Sequence, residues 1–91
     1  MSKTIDTDSL AMAAQALSTY MGEVQQSVKQ MQDAALDCSD NLEKDVYTTE
    51  AINGLEKCVR ELKKCLIEAE ELRGKILQRY KDILESQKRV R

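Results

Sequence analysis

Apolar residues recur along both halves of the chain in alternating steps of four and three positions. In the first half the series runs Leu10, Ala14, Leu17, Met21, Val24, Val28, Met31, Ala35, Cys38 and Leu42. In the second half it runs Ile52, Leu55, Val59, Leu62, Leu66, Ala69, Ile76, Tyr80 and Ile83. The position between Ala69 and Ile76 falls on Leu72 or Arg73 and is the one irregularity. This spacing predicts two long amphipathic α-helices with a coiled-coil-like seam.

The two series also indicate that the chain reverses between them. In an antiparallel pair of helices, facing residues have numbers with a constant sum. Pairs such as Val24 with Ala69 and Val28 with Leu66 add to 93 and 94, which places the reversal near Val46–Tyr47. We therefore expect an all-α fold, an antiparallel two-helix hairpin that forms a single domain over residues 1–91. Its expected elements are helix 1 at about 7–44, a turn at about 45–48 and helix 2 at about 49–87.

A hairpin of two helices has only one seam, and domains of this size are marginally stable even when they are globular. We therefore expect it to complete a four-helix or larger bundle with a partner. The candidate partner-binding residues are Ala13, Tyr20 and Ala34 on helix 1, Cys58, Cys65 and Leu72 on one flank of helix 2, Leu77 and Leu84 on another, and Tyr47 in the turn. The alternative is that these residues only broaden the core of the hairpin itself.

The composition argues against an enzyme. The chain has no His, Pro, Phe or Trp, so nucleophilic chemistry and zinc sites that depend on histidine are excluded. Its three cysteines include no CxxC pair, and we expect them to act as small hydrophobic residues, with a redox role left open. We expect no catalytic residue, no cofactor and no metal site.

The charge distribution bears on partners and location. The net charge of −2 divides into −5 for residues 1–45 and +3 for residues 46–91, which argues against a nucleic-acid partner. The first eight residues do not resemble a secretory signal peptide. The longest purely apolar run, Leu10–Ala14, is too short to cross a bilayer. We expect a cytoplasmic protein without membrane insertion, and export without a cleaved signal peptide stays open.

A hairpin of nearly this length, with its reversal at the midpoint, resembles the WXG-motif (early-secreted-antigen-like) superfamily of small type VII secretion proteins. Within it, the chain is most similar to the small helical partners of LXG-domain toxins. The resemblance is one of architecture and runs from Ile5 to about Leu84. Where that family carries Trp-x-Gly in the turn, this chain reads Val46-Tyr47-Thr48-Thr49, with Tyr47 available for the aromatic position. The family's Tyr-x-x-x-Asp/Glu export signal is absent, because Leu84 is the fourth residue after Tyr80.

The resemblance implies a non-enzymatic interaction protein. Its partner would be the helical N-terminal domain of a larger secreted effector or toxin, a second small helical protein, or both, and it would help to target the effector to a type VII secretion system. A homodimer is a further option. The alternative class is a structural homo-oligomeric coiled-coil subunit, or a type III secretion chaperone or needle-like protein. A structural homo-oligomer should be stable alone, whereas a secretion partner should be marginal alone.

Overall fold

The computed structural model describes residues 7–89, with side chains from 7 to 88, and contains two antiparallel helices. Helix α1 spans Thr7–Asn41, helix α2 spans Val46–Arg89, and residues 42–45 join them. The molecule measures 71 by 20 by 16 Å, a cross-section of two helices side by side at about 10–12 Å each. The predicted all-α hairpin is confirmed. The residues before Thr7, including Ile5 where the resemblance begins, lie outside the described part.

The buried part of the seam between the helices consists mainly of small side chains. The buried residues are Ala14, Val24, Val28, Val59, Ala69 and Ile83, all of them members of the two apolar series. No side chain between residues 7 and 88 is fully enclosed. The irregular position is taken by Arg73, which is partly buried, while Leu72 keeps half of its surface exposed.

The turn lies three residues earlier than predicted. Helix α1 ends at Asn41 rather than at residue 44, and α2 begins at Val46 rather than at residue 49, so the predicted turn at 45–48 is wrong. The reason is a stronger cap at Asp45. Its Oδ1 accepts the backbone N–H of Thr48 at 2.8 Å, and its carbonyl accepts the first helical bond, from the N–H of Thr49, at 3.0 Å. Aspartate ranks above threonine as an N-cap, so Asp45 starts the helix before the threonines can.

The end of α1 is closed by a side chain instead of a glycine. The Asn41 amide Nδ2 donates to the backbone carbonyl of Asp37 at 3.1 Å and to its Oδ1 at 2.8 Å. The next bond, from the Leu42 N–H to the Cys38 carbonyl at 3.1 Å, completes the last turn. No residue between 7 and 89 has a positive φ. The reversal therefore needs neither glycine nor proline, and residues 42–45 contain neither.

The earlier turn changes which residues face each other across the seam. Val24, Val28 and Val59 form one buried cluster, against which Met31, Leu62 and Leu66 pack. This cluster joins residues 24–31 of α1 to residues 59–66 of α2, and the ends of the two helices, Asn41 and Val46, add to 87. Facing residues therefore add to less than the predicted 93 and 94, which are wrong. Sums of 87, 90, 93 and 94 all match apolar positions with apolar positions, so the pattern alone cannot select the register, whereas the position of the turn can.

The hairpin exposes much more surface than a compact protein of its mass. Its accessible surface is 7466 Å², against about 5,350 Å² for a typical folded monomer of 10.3 kDa. This excess of about 2,100 Å² in accessible surface reflects a structure with one packed layer and nothing over its faces.

Within residues 7–89, neither helix contains a window that is apolar enough to span a membrane.

We predict that Asp45→Ala destabilises the hairpin in a pH-dependent manner. Hydrogen bonds from the backbone and side chain of Thr48, with a smaller one from the Tyr47 backbone, hold the pKa of the Asp45 carboxyl below its ordinary value. A lowered folded-state pKa stabilises the fold above the unfolded pKa, and that stabilisation is lost as the pH falls through the folded pKa. The urea midpoint of the variant should therefore lie below that of the parent at pH 7.

The difference between the two midpoints should shrink as the solution is acidified below about pH 4, near the ordinary pKa of aspartate. Asp33→Ala is the matched control, since Asp33 is an exposed aspartate in the middle of α1. Equal midpoints for Asp45→Ala and Asp33→Ala at pH 7 would contradict the assignment of Asp45 as the cap.

Candidate partner-binding surface

One edge of the seam carries an uncharged strip that both helices contribute, here named the tyrosine face. It consists of Ala13, Tyr20, Ser27 and Ala34 from α1 and Cys58, Cys65 and Leu72 from α2. On each helix these residues are spaced by seven and come one position before a seam residue, so they occupy equivalent heptad positions. In an antiparallel pair of helices, residues at the same heptad position of the two helices lie on the same edge of the seam.

The electrostatics of Tyr20 indicate that the two contributions adjoin. Its hydroxyl lies near enough to the Cys65 thiol, and to Glu68 one turn further along α2, for both groups to raise its pKa. Tyr20 and Cys65 add to 85, so a register with sums of 93 or 94 would leave them about 12 Å apart along the axis, whereas a sum of 87 leaves them about 3 Å apart, at 1.5 Å per residue. The contact therefore agrees with the shorter turn and brings the sequence-predicted residues of α1 and α2 together.

The tyrosine face stays open to solvent in the single chain. Tyr20 is 41% exposed and Leu72 is 50% exposed. Ala13, Ala34 and Cys58 are exposed, and Cys65 is half-buried beside Tyr20. The hairpin therefore does not absorb these residues into its own core.

The remaining predicted residues lie elsewhere. Leu77 and Leu84 come one position after seam residues, which puts them on the opposite edge, where they are 40% and 36% exposed. Tyr47 projects from the first turn of α2 and is 81% exposed. The nine predicted residues therefore divide into six on the tyrosine face, two on the opposite edge and one at the loop end of the molecule.

A second feature of α1 was missed at the level of sequence, although the sequence displays it. Residues 9–22 contain no charged side chain over 14 positions, which is about 21 Å of helix at 1.5 Å per residue. The outward positions of this neutral segment include the exposed Ala11 and Ala16, and Met12 is 72% exposed. A solvated helix usually carries charged residues on its outer side. Small uncharged side chains all round are typical of a helix that another helix approaches closely.

The electrostatics of the tyrosine face centre on Tyr20. The charge that Cys65 acquires on ionisation raises the pKa of the Tyr20 hydroxyl above its ordinary value. Partial desolvation, the hydrogen bond with Cys65 and the Glu68 carboxylate shift this pKa in the same direction. The raised pKa keeps the Tyr20 hydroxyl neutral at physiological pH, which suits an apolar contact.

Between residues 7 and 88, no group of three or more Cys, Asp or Glu side chains is placed to hold a metal ion. A shallow groove of about 450 Å³ lies on the other edge near the loop, between Leu36 and Ile52. Its floor is apolar, and it is open to solvent along its length.

We predict that the raised pKa of Tyr20 depends on Cys65. In a chain with Tyr47→Phe and Tyr80→Phe, Tyr20 is the only tyrosine, and its phenolate absorbance near 295 nm can be followed alone. Adding Cys65→Ala should move the midpoint of that titration to lower pH, because the thiolate that opposes ionisation is gone.

Cys58→Ala in the same background is the matched control, since Cys58 lies on the same face one heptad away. It should leave the Tyr20 midpoint where it was. If the two cysteine substitutions had equal effects, neither the contact nor the register derived from it would stand.

Comparisons with known proteins identify no relative of this chain. No protein-family model matches it, and neither does a curated protein or a solved structure. Any function must therefore be argued from the hairpin and its open surfaces.

Proposed function

We propose that the chain is a non-enzymatic interaction protein that binds a helical segment of a larger secreted effector or toxin and helps to target it to a type VII secretion system. The observation that carries this proposal is the open tyrosine face, with the neutral segment of α1 beside it. Both surfaces have the composition of a helix contact, and nothing in the hairpin covers them.

The geometry of the face suits a partner helix that packs along the hairpin. Ala13, Ser27 and Ala34 are small, which allows a neighbouring helix to approach to the usual interaxial distance of about 8–10 Å. Tyr20 and Leu72 have larger side chains that project from the face, and they provide most of its exposed apolar area. Tyrosine is among the residue types that are enriched at the few positions supplying most of the binding energy of an interface.

The secretion role rests on the resemblance in architecture. A hairpin of this length with a turn near its midpoint is what small type VII secretion proteins share. The missing Tyr-x-x-x-Asp/Glu signal then requires the partner to supply the export signal, as expected for a small protein that accompanies a toxin. The step from a helical hairpin to a role in secretion is an analogy between folds, so the identity of the partner decides whether it holds.

The experiment that tests the proposal is affinity purification of the tagged chain from its native cells, with mass spectrometry of the proteins that co-purify. Recovery of a large protein with a long helical N-terminal domain and a separate toxin-like domain would support it. Recovery of the chain only with itself would favour the alternative, a structural homo-oligomeric coiled-coil subunit.

We predict that charged substitutions on the tyrosine face abolish the complex with that partner. Tyr20→Glu and Leu72→Glu should each weaken binding by at least about 30-fold, or about 2 kcal/mol, because each places a carboxylate in a contact that excludes water. Titration of the purified helical domain into each variant, followed by calorimetry, measures the effect.

Ile67→Glu is the matched control. Ile67 is also on α2 and is 60% exposed, but it points away from the tyrosine face. It should bind like the parent chain. Unchanged binding by both Tyr20→Glu and Leu72→Glu would place the interface elsewhere on the hairpin.

A further inference from the structure

The apolar positions of the two helices continue one another through the reversal. Steps of seven from Leu10 lead through Cys38 and the loop to Ile52 and on into α2. Between residues 10 and 80, every position on this line is an apolar seam residue except Asp45 in the loop and Arg73. The other seam residues follow the line by four positions in α1 and by three in α2, which places them on its two sides. A closed hairpin does not require its helices to share such a line, whereas one continuous helix with a single seam does.

The residues of the reversal favour a helix. Leu42, Glu43 and Lys44 are all strong helix formers, and residues 42–45 include neither glycine nor proline. The Leu42 N–H donates to the carbonyl four positions earlier, and so does the Thr49 N–H, as in an α-helix. The departure from a continuous helix is therefore confined to the few residues between these two bonds, and none of them has a positive φ.

Asp45 stabilises the closed form in particular. Its Oδ1 accepts the Thr48 N–H at 2.8 Å, and its own N–H donates to the Glu43 carbonyl at 2.9 Å. A continuous helix gives up both bonds, and the N–H groups of residues 43–48 would instead donate to the carbonyls four positions earlier. The cap at this one residue therefore opposes the helical preference of its neighbours.

The closed reversal leaves apolar side chains in solvent. Leu42 is 54% exposed although it belongs to the apolar series, and Val46 is 68% exposed one turn further on. The helix ends Asn41 and Val46 add to 87, and an antiparallel pair of opened chains would keep that register. Leu42 of one copy would then lie level with Val46 of the other, to within one residue. The hairpin has one Leu42 and one Val46 at its end, whereas the opened pair brings two of each together around its axis.

We propose that residues 43–45 form a hinge at which the hairpin opens into one continuous helix, and that two opened chains exchange α2. The α1 helix of each copy then packs on α2 of the other copy, and the contacts of the seam are made again between chains. Exchange of an identical element is a low-cost route to a dimer, because each half repeats the packing of the closed monomer. Neither copy is a hairpin in this pair, and the outer faces of both halves stay open.

The exchange changes what the molecule offers to a partner. Each half of the pair keeps a tyrosine face, now with Tyr20 from one copy and Cys65 from the other. The two faces lie at opposite ends of a rod, so the exchanged dimer has two binding surfaces where the hairpin has one. This consequence rests on the proposed function, whereas the exchange itself does not.

Small-angle X-ray scattering combined with light scattering tests the exchange, because length and mass together separate the possible species. The closed hairpin is 71 Å long. A continuous helix over residues 7–89 is about 125 Å long at 1.5 Å per residue. After refolding from urea at several hundred micromolar, we expect a fraction with twice the mass of the chain and a maximum dimension of about 125 Å. Refolding at a series of concentrations gives the dissociation constant of this long dimer.

Val46→Pro should block the exchange and keep the hairpin. Val46 is the first residue of α2, a position that accepts proline, and the extended backbone that proline favours in the preceding residue suits the N-cap at Asp45. In a continuous helix the ring would remove the bond to the Leu42 carbonyl and clash with it. The dissociation constant of the long dimer should rise at least about 100-fold. Val46→Ala is the matched control, since alanine suits both forms, and it should keep the long dimer.

Asp45→Ala should favour the exchange. It removes the cap from the closed form and places a better helix former in the opened one, so the dissociation constant of the long dimer should fall at least about tenfold. Asp33→Ala is the matched control. Asp33 lies within α1 and is helical in both forms, so its substitution should leave the dissociation constant unchanged.

Three results would overturn the proposal. One is a chain that stays monomeric after refolding at several hundred micromolar, for Asp45→Ala as well as for the parent. Another is a dimer about as long as the closed hairpin, which would be a pair of hairpins. The third is a long dimer that Val46→Pro forms as readily as the parent, with circular dichroism showing intact helices.

The exchange and the proposed function fail in different ways. A monomeric chain that still captures a large secreted protein from its native cells would refute the exchange and leave the proposed function intact. A long dimer with the expected response to Val46→Pro, in cells where no helical effector co-purifies, would refute the proposed function and leave the exchange intact.

Discussion

The packing of small apolar side chains along one seam is the interaction on which the whole structure depends. Val24, Val28 and Val59 form its buried centre, and a buried valine contributes about 1.5–3 kcal/mol. No side chain between residues 7 and 88 is fully enclosed in it, and the aromatic ring of its member Tyr80 is only partly buried. The ion pair between the partly buried Arg73 and the exposed Glu70, at 3.6 Å, is open to solvent and contributes little. A seam of this kind can align two helices, but it leaves their outer surfaces without cover.

The position of the turn connects this seam to the candidate binding surface. Because Asp45 caps α2 where it does, the loop closes early and facing residues of the two apolar series have sums below 93. That register places Tyr20 against Cys65 and makes one face from residues that are 45 positions apart in the chain. A loop three residues later would have separated them. The capping aspartate at the loop therefore helps to determine which side chains lie together in the middle of the molecule.

The sequence predicts the helices and the seam because a heptad pattern needs only local spacing. It does not predict the register, since sliding one helix past the other by part of a heptad again matches apolar residues with apolar ones. The turn was misplaced because Thr48 and Thr49 can also cap a helix, and only the competition with Asp45 decides. Spacing by seven identifies each half of the tyrosine face, but that the halves adjoin follows from the antiparallel register. The lack of charge at residues 9–22 can be read from the sequence. That the outward positions of this segment are exposed to solvent can be read only from the structure.

If the proposed function is right, the hairpin is marginally stable alone and gains stability when its tyrosine face is covered. Thermal unfolding, followed by circular dichroism, should be compared for the purified chain alone and with the helical domain that co-purifies with it. The midpoint should be low for the chain alone and should rise when the helical domain is added, by mass action. A high midpoint for the chain alone, unchanged by the helical domain, would show that the single hairpin is sufficient by itself and that its open face binds no partner.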